Sequence, residues 1–111
     1  MHVELDVFSG RTNPRWELSH AEVAELRTRL AGLPRCDQPT DEPALGYRGL
    51  ILSSAQAPPG LPSWIRVHDG VVTIRTDAGI RCHSDVNGLE RWLIGQARAR
   101  GHGGLLRELG K

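Results

Sequence analysis

Near the start of the chain, Val3, Leu5 and Val7 alternate with Glu4 and Asp6, the period-two pattern of a strand with one buried face. From Ser19 the period changes. Val23, Leu26, Leu30 and Leu33 recur at spacings of three and four, making one apolar helical stripe, while Glu22, Glu25, Arg27 and Arg29 take the wet side. Ser19 and Glu22 stand at capping-box spacing, and Leu18 and Val23 at that of a hydrophobic staple. Gly32 and Pro34 end the helix. Residues 34–46 lack periodicity and read as an exposed loop. Residues 47–52, with the apolar run Leu50-Ile51-Leu52, predict a second strand near the sheet centre. Residues 57–62 form a stiff, Pro-rich connection.

The stretch that follows is the best specified. Asp69-Gly70 is a strong two-residue hairpin signal. Folding about it sets Val67 against Val72 and Ile65 against Ile74, all on one face. Asp77-Ala78-Gly79 predicts a three-residue hairpin loop with Gly79 left-handed. That register brings Cys82 beside Ile74 as a small core hydrophobe. The last helix starts near Asp85–Asn87, with Asn87 and Glu90 as its capping box. Its stripe is Val86, Leu89, Leu93 and Ala97, with Trp92 alongside, and Gly101-His102-Gly103-Gly104 stops it. Residues 101–111 are a Gly-rich, amphipathic tail that either docks on the body or meets a partner. The predicted fold is α+β: one two-layer domain over residues 1–100, a mostly antiparallel sheet with two helices packed on one face.

Composition narrows the function classes. The 111 residues suit one domain. Lys plus Arg number 14 against 13 for Asp plus Glu, so net charge offers no bulk attraction to nucleic acid or membrane. Lys111 is the only lysine. The arginines reflect either genome composition or recognition of carboxylate and phosphate, which the planar guanidinium suits. No apolar run approaches the ~18 residues of a membrane span, and the first residues lack signal-peptide order. Two cysteines, Cys36 and Cys82, are too few for a disulfide scaffold. The expectation is a cytoplasmic protein with both thiols reduced.

Four groups of residues are candidates for chemistry. On the outward face of the hairpins, Trp64, Arg66, His68, Thr73, Arg75, Arg81 and His83 are expected together, with Trp64 opposite Arg75 in cation–π reach. Such a face suits single-stranded nucleic acid, phosphate or an acidic peptide, or is simply solvated; a single aromatic is few for stacking bases. The loop over residues 9–16 holds Ser9, Gly10, Arg11, Asn13, Arg15 and Trp16. It is either a binding loop or a structural one, with Trp16 filling the gap between strand and helix, Asn13 bonding its own loop, and Arg11 paired to Asp6 or Glu4. His2, His68, His83, Cys36, Cys82, Asp6 and Asp85 lack metal-ligand spacing, so neither metal nor cofactor is implied. Ser9, Ser53 and Ser54 lack a nucleophile elbow, Glu4 and Asp6 flank no recognisable acid pocket, and no catalytic residue is assigned.

Asp6-Val7-Phe8-Ser9-Gly10-Arg11-Thr12-Asn13-Pro14, together with Gly46-Tyr47-Arg48-Gly49 and Leu89-Glu90-Arg91-Trp92-Leu93, resembles small bacterial proteins that share an Asp-Val-Phe-Ser-Gly-Arg-Pro-Asn-Pro opening. Thr12 stands where that pattern has Pro. The resemblance spans most of the chain and brings no activity, cofactor or catalytic residue with it. The leading expectation is a non-catalytic binding or accessory protein. It takes a protein or peptide partner through Ser9, Gly10, Arg11, Asn13 and Trp16, joined by Tyr47 and Arg48. The alternatives are a small, metal-assisted enzyme using Asp6, His68 or His83, and a single-stranded nucleic-acid binder on the Trp64/Arg66/Arg75/Arg81 face.

Overall fold

The structure, a computed structural model, describes residues 1–7, 12–37 and 47–111. Its strands are β1 (His2–Leu5), β2 (Arg15–Glu17), β3 (Leu50–Ser53), β4 (Trp64–His68), β5 (Val71–Thr76) and β6 (Gly79–Ser84). They form one antiparallel sheet in the order β2-β1-β3-β4-β5-β6. Helix α1 (His20–Leu30) lies between β2 and β3, and α2 (Leu89–Ala97) follows β6. A wider π-type turn over Arg98–His102 leads into the short α3 (Gly103–Glu108). The class is therefore α+β. No helix among the described residues is long and apolar enough to cross a membrane.

Register explains the core. Val3, Leu52 and Ile65 are cross-strand partners, as are Leu5, Leu50 and Val67. All are fully buried, and they share one core with Leu26 of α1, Leu89 and Leu93 of α2, and Leu106 of α3. The β4–β5 hairpin has the expected pairs, Ile65 with Ile74 and Val67 with Val72. At its turn Asp69 and Gly70 take φ of 51° and 80°, the left-handed pair that a twisted two-residue hairpin requires. Ser19 and Glu22 form the expected capping box on α1.

Several local expectations are corrected. The end of the 9–16 loop is strand β2, with Trp16 opposite Val3, so Trp16 is a core residue. The second predicted strand begins only at Leu50. Gly49 before it has φ 94°, and a Cβ there would lie 2.3 Å from the Val67 carbonyl oxygen. The β5–β6 loop is shorter than expected, with Thr76 pairing with Gly79. The Thr76 hydroxyl accepts a hydrogen bond from the Ala78 N–H at 3.2 Å, a local bond that tightens the turn. The shift turns Cys82 toward the face of its partner Thr73 and sets Arg81 opposite Ile74. Arg81 and His83 thus leave the Trp64 face and pair with the core residues Ile74 and Val72.

The cysteines are not free thiols. Cys36 and Cys82 are joined by a disulfide, with Cα atoms 5.4 Å apart. Residues 34–36 run antiparallel to β6, with Arg35 bridged to His83 and the Ser84 N–H donating to the Pro34 carbonyl at 2.8 Å. That extra edge carries Cys36 to Cys82. At α2 the cap is Asp85, whose carboxylate accepts from the N–H groups of Leu89 (2.7 Å) and Glu90 (2.8 Å). Asn87 instead donates to the carbonyls of Arg29 and Ala31 at the end of α1. Val86 is 64% exposed and leaves the apolar stripe. Gly101, at φ 93°, kinks the chain rather than ending it.

Candidate functional site

The alternation that buries Leu5 turns Glu4 and Asp6 toward the other face. Asp6 lies just past β1, where its N–H donates to the Gly49 carbonyl (2.9 Å) and its carbonyl accepts from the Arg48 N–H (2.8 Å). These bonds stitch residues 47–49 to β1 before β3 begins. The Asp6 side chain extends the stitch. One carboxylate oxygen takes Arg48 Nη2 at 2.9 Å and the other takes Arg66 Nη1 at 3.0 Å. Arg66 Nη1 also donates to the Arg48 carbonyl, at 2.9 Å.

Asn13 closes the network from the β1–β2 loop. Its Oδ1 accepts from the Val7 N–H at 3.0 Å, while its Nδ2 donates to Glu4 Oε2 at 2.9 Å and to Asp6 Oδ1 at 3.4 Å. Arg15 lies 3.6 Å from Glu4. Three guanidinium groups thus share two carboxylates. The Asp6 side chain is 11% exposed, against 32% and 29% for Arg48 and Arg66. A sunken anion thus holds two guanidinium side chains that stay partly exposed, which fixes their orientation at the rim.

Tyr47, half-buried, packs against the core. Its hydroxyl hydrogen-bonds to Glu90 of α2, and the same carboxylate accepts the N–H groups of Asp69 (3.2 Å) and Gly70 (3.1 Å) at the hairpin turn. Burial above all, and then the hydrogen bond to Glu90, pushes the Tyr47 phenol above the usual tyrosine range. The His68 ring meets Tyr47 edge-on at 5.4 Å, and the Lys111 ammonium lies 4.4 Å from the Tyr47 ring centroid.

The expected residues therefore separate into groups. Asn13 and Arg48 converge at the Asp6 rim, whereas Tyr47 packs against the core and bonds to Glu90 of α2. Trp16 lies on the core face, its Nε1 donating to Gln96 Oε1 at 2.8 Å. Ser9, Gly10 and Arg11 fall outside the described residues. On the β4–β5 hairpin Arg75 stacks over Trp64 at 4.2 Å and Arg66 lies 5.8 Å from the same ring. That fulfils the expected Trp64–Arg75 contact but crowds the indole on which a base would stack. Arg81 and His83 are on the opposite face. Among the described residues no three metal-ligating side chains converge, and Asp6, His68 and His83 do not form one constellation.

Sequence reasoning missed Asp6 and Glu90 as hubs. Asp6 carried a signal, since it lies inside the Asp-Val-Phe-Ser-Gly-Arg stretch, but its partners come from strands whose order spacing does not reveal. Searches of protein-family models, curated proteins and solved structures find no match to this chain. The resemblance drawn above accordingly rests on its residues alone.

Proposed function

We propose that this chain is a non-catalytic binding domain that recognises an acidic peptide, or an acidic segment of a protein, at the rim around Asp6. In this reading the helices form one layer on the core face, and the rim opens on the other. The observation that carries it is the Asp6 clamp: one sunken carboxylate holds Arg48 and Arg66, whose side chains stay 32% and 29% exposed. The clamp also fixes residues 47–49 against the chain just past β1, where the Asp6 N–H and carbonyl bond to Gly49 and Arg48. A peptide carboxylate there would exchange water for bidentate, charge-assisted hydrogen bonds.

Selection of binders from a random peptide library on the immobilised protein tests the reading. The expected result is enrichment of Asp- and Glu-containing peptides whose binding to the folded protein falls about tenfold or more in Arg11→Ala and Arg48→Gln, a larger loss than either substitution causes in stability. Peptides without acidic enrichment, or binding untouched by both substitutions in folded protein, would move the site elsewhere.

A further inference from the structure

The register of β6 has a second consequence. By turning Arg81 and His83 to the side of Ile74 and Val72, it completes a groove between the end of α1, the Gly60–Pro62 stretch and the β5–β6 hairpin. The groove has a volume of about 360 Å³, at the small end of the ~300–1,000 Å³ usual for ligand clefts. Leu30, Leu61 and Ile74 line it, with Arg27 and Arg81 as its cations. Leu30 and Leu61 pack against the core and Ile74 is 5% exposed, so the floor is firm and apolar.

Its charge is one-sided. No Asp or Glu lines it among the described residues, whereas three other grooves each include a carboxylate, Asp77 in one and Asp85 in two. Arg81 forms no ion pair among the described residues. The Arg27 Nε donates to the Pro59 carbonyl at 3.2 Å, which anchors that side chain and leaves its terminal nitrogens. The His83 Nδ1 donates to the Leu33 carbonyl at 3.1 Å, fixing the ring against the groove wall. An apolar floor, and guanidinium groups with no carboxylate beside them among the described residues, together select a ligand with an apolar body and one anionic end.

We propose that this groove binds a small apolar monocarboxylate, its chain or ring on Leu30, Leu61 and Ile74 and its carboxylate on Arg81, with Arg27 as the second cation. The site lies on the face opposite the Asp6 rim and stands or falls independently of the peptide reading. Ligand carboxylate and guanidinium form the planar pair for which arginine is suited, and the apolar body leaves water at the usual gain per buried area.

Amide NMR titration of the full chain with octanoate and cyclohexanecarboxylate tests the proposal, with octanamide as the uncharged control. The expected result is saturable shifts at Leu30, Leu61 and Ile74, with octanamide weaker than octanoate by about tenfold or more. Arg81→Gln, a substitution at an exposed side chain of β6, is expected to weaken octanoate by a similar factor and leave the spectrum otherwise native; Arg27→Gln is expected to act in the same direction. No saturable shift at those residues with millimolar octanoate, equal binding of octanamide, or undiminished binding in the doubly substituted protein would overturn it.

Discussion

Asp6 satisfies two guanidinium groups at once, one on each oxygen, at 2.9 and 3.0 Å. Asp6→Asn removes the charge but keeps the shape, leaving Arg48 and Arg66 close together without their counterion. The expected loss is about 1–3 kcal/mol, held to that range because solvent reaches both arginines and screens them. Urea unfolding checks it, with Glu4→Gln expected to cost less because its partner Arg15 is 57% exposed. Tyr47 offers a second test, since it is the only tyrosine in the chain. A phenol raised by burial and by Glu90 contributes stability in full below the free value of about 10, and that contribution is lost as pH rises beyond it. Phenolate absorbance is therefore expected to appear with unfolding rather than near pH 10, and Glu90→Gln to bring it to lower pH. A normal titration in folded protein would contradict the buried assignment. Both residues were visible in the sequence, Asp6 in an alternating strand and Tyr47 in Gly-Tyr-Arg-Gly. What each touches was not, because the arginines on Asp6 and the Glu90 carboxylate on Tyr47 come from 42 or more positions away.

Elements whose determinants are local were legible. The α1 capping box closes within four residues, and Asp69-Gly70 specifies both its turn and the register of the strands beside it. Glu22 is held below its ordinary value of 4.5, chiefly by the Ser19 backbone N–H. Its contribution is thus present above that value and lost as pH falls through the lowered one. The melting difference between the native chain and Glu22→Ala is expected to be constant near neutrality and to close in strong acid. The β5–β6 turn and the start of α2 were read differently because two motifs competed at each. A three-residue loop with Gly79 and a two-residue one share their residues, and the Thr76 hydroxyl favours the tighter turn. Asn87 and Asp85 can both cap a helix, but Asn87 is drawn to the open carbonyls of α1. Asp85→Ala is accordingly expected to cost about 0.5–2 kcal/mol of unfolding free energy, and Asn87→Ala to loosen the end of α1 rather than the start of α2. Amide exchange at Leu89 and Glu90 distinguishes the two.

At the scale of the whole molecule, the disulfide ties the residues after α1 to the far edge of the sheet, 46 positions apart. Cysteine count alone suggested reduced thiols; that residues 34–36 run beside β6 emerges only from the tertiary fold. In the chain-entropy picture a closed loop of that length is worth about 4 kcal/mol. The native chain unfolded without reductant is expected to show no reactive thiol, and Cys36→Ser with Cys82→Ser to melt well below it; two thiols would contradict the pairing. The candidate site is also a property of the whole, gathered from β1, the β1–β2 loop, the chain before β3, and β4. Its test is hydrogen exchange of the intact chain with and without a library-selected acidic peptide. Protection is expected at the rim, at Val7, Asn13, Arg48 and Gly49, with the Trp64 and Arg75 amides unchanged. Protection that leaves the rim unchanged and falls on Trp64 and Arg75 would contradict the Asp6 site.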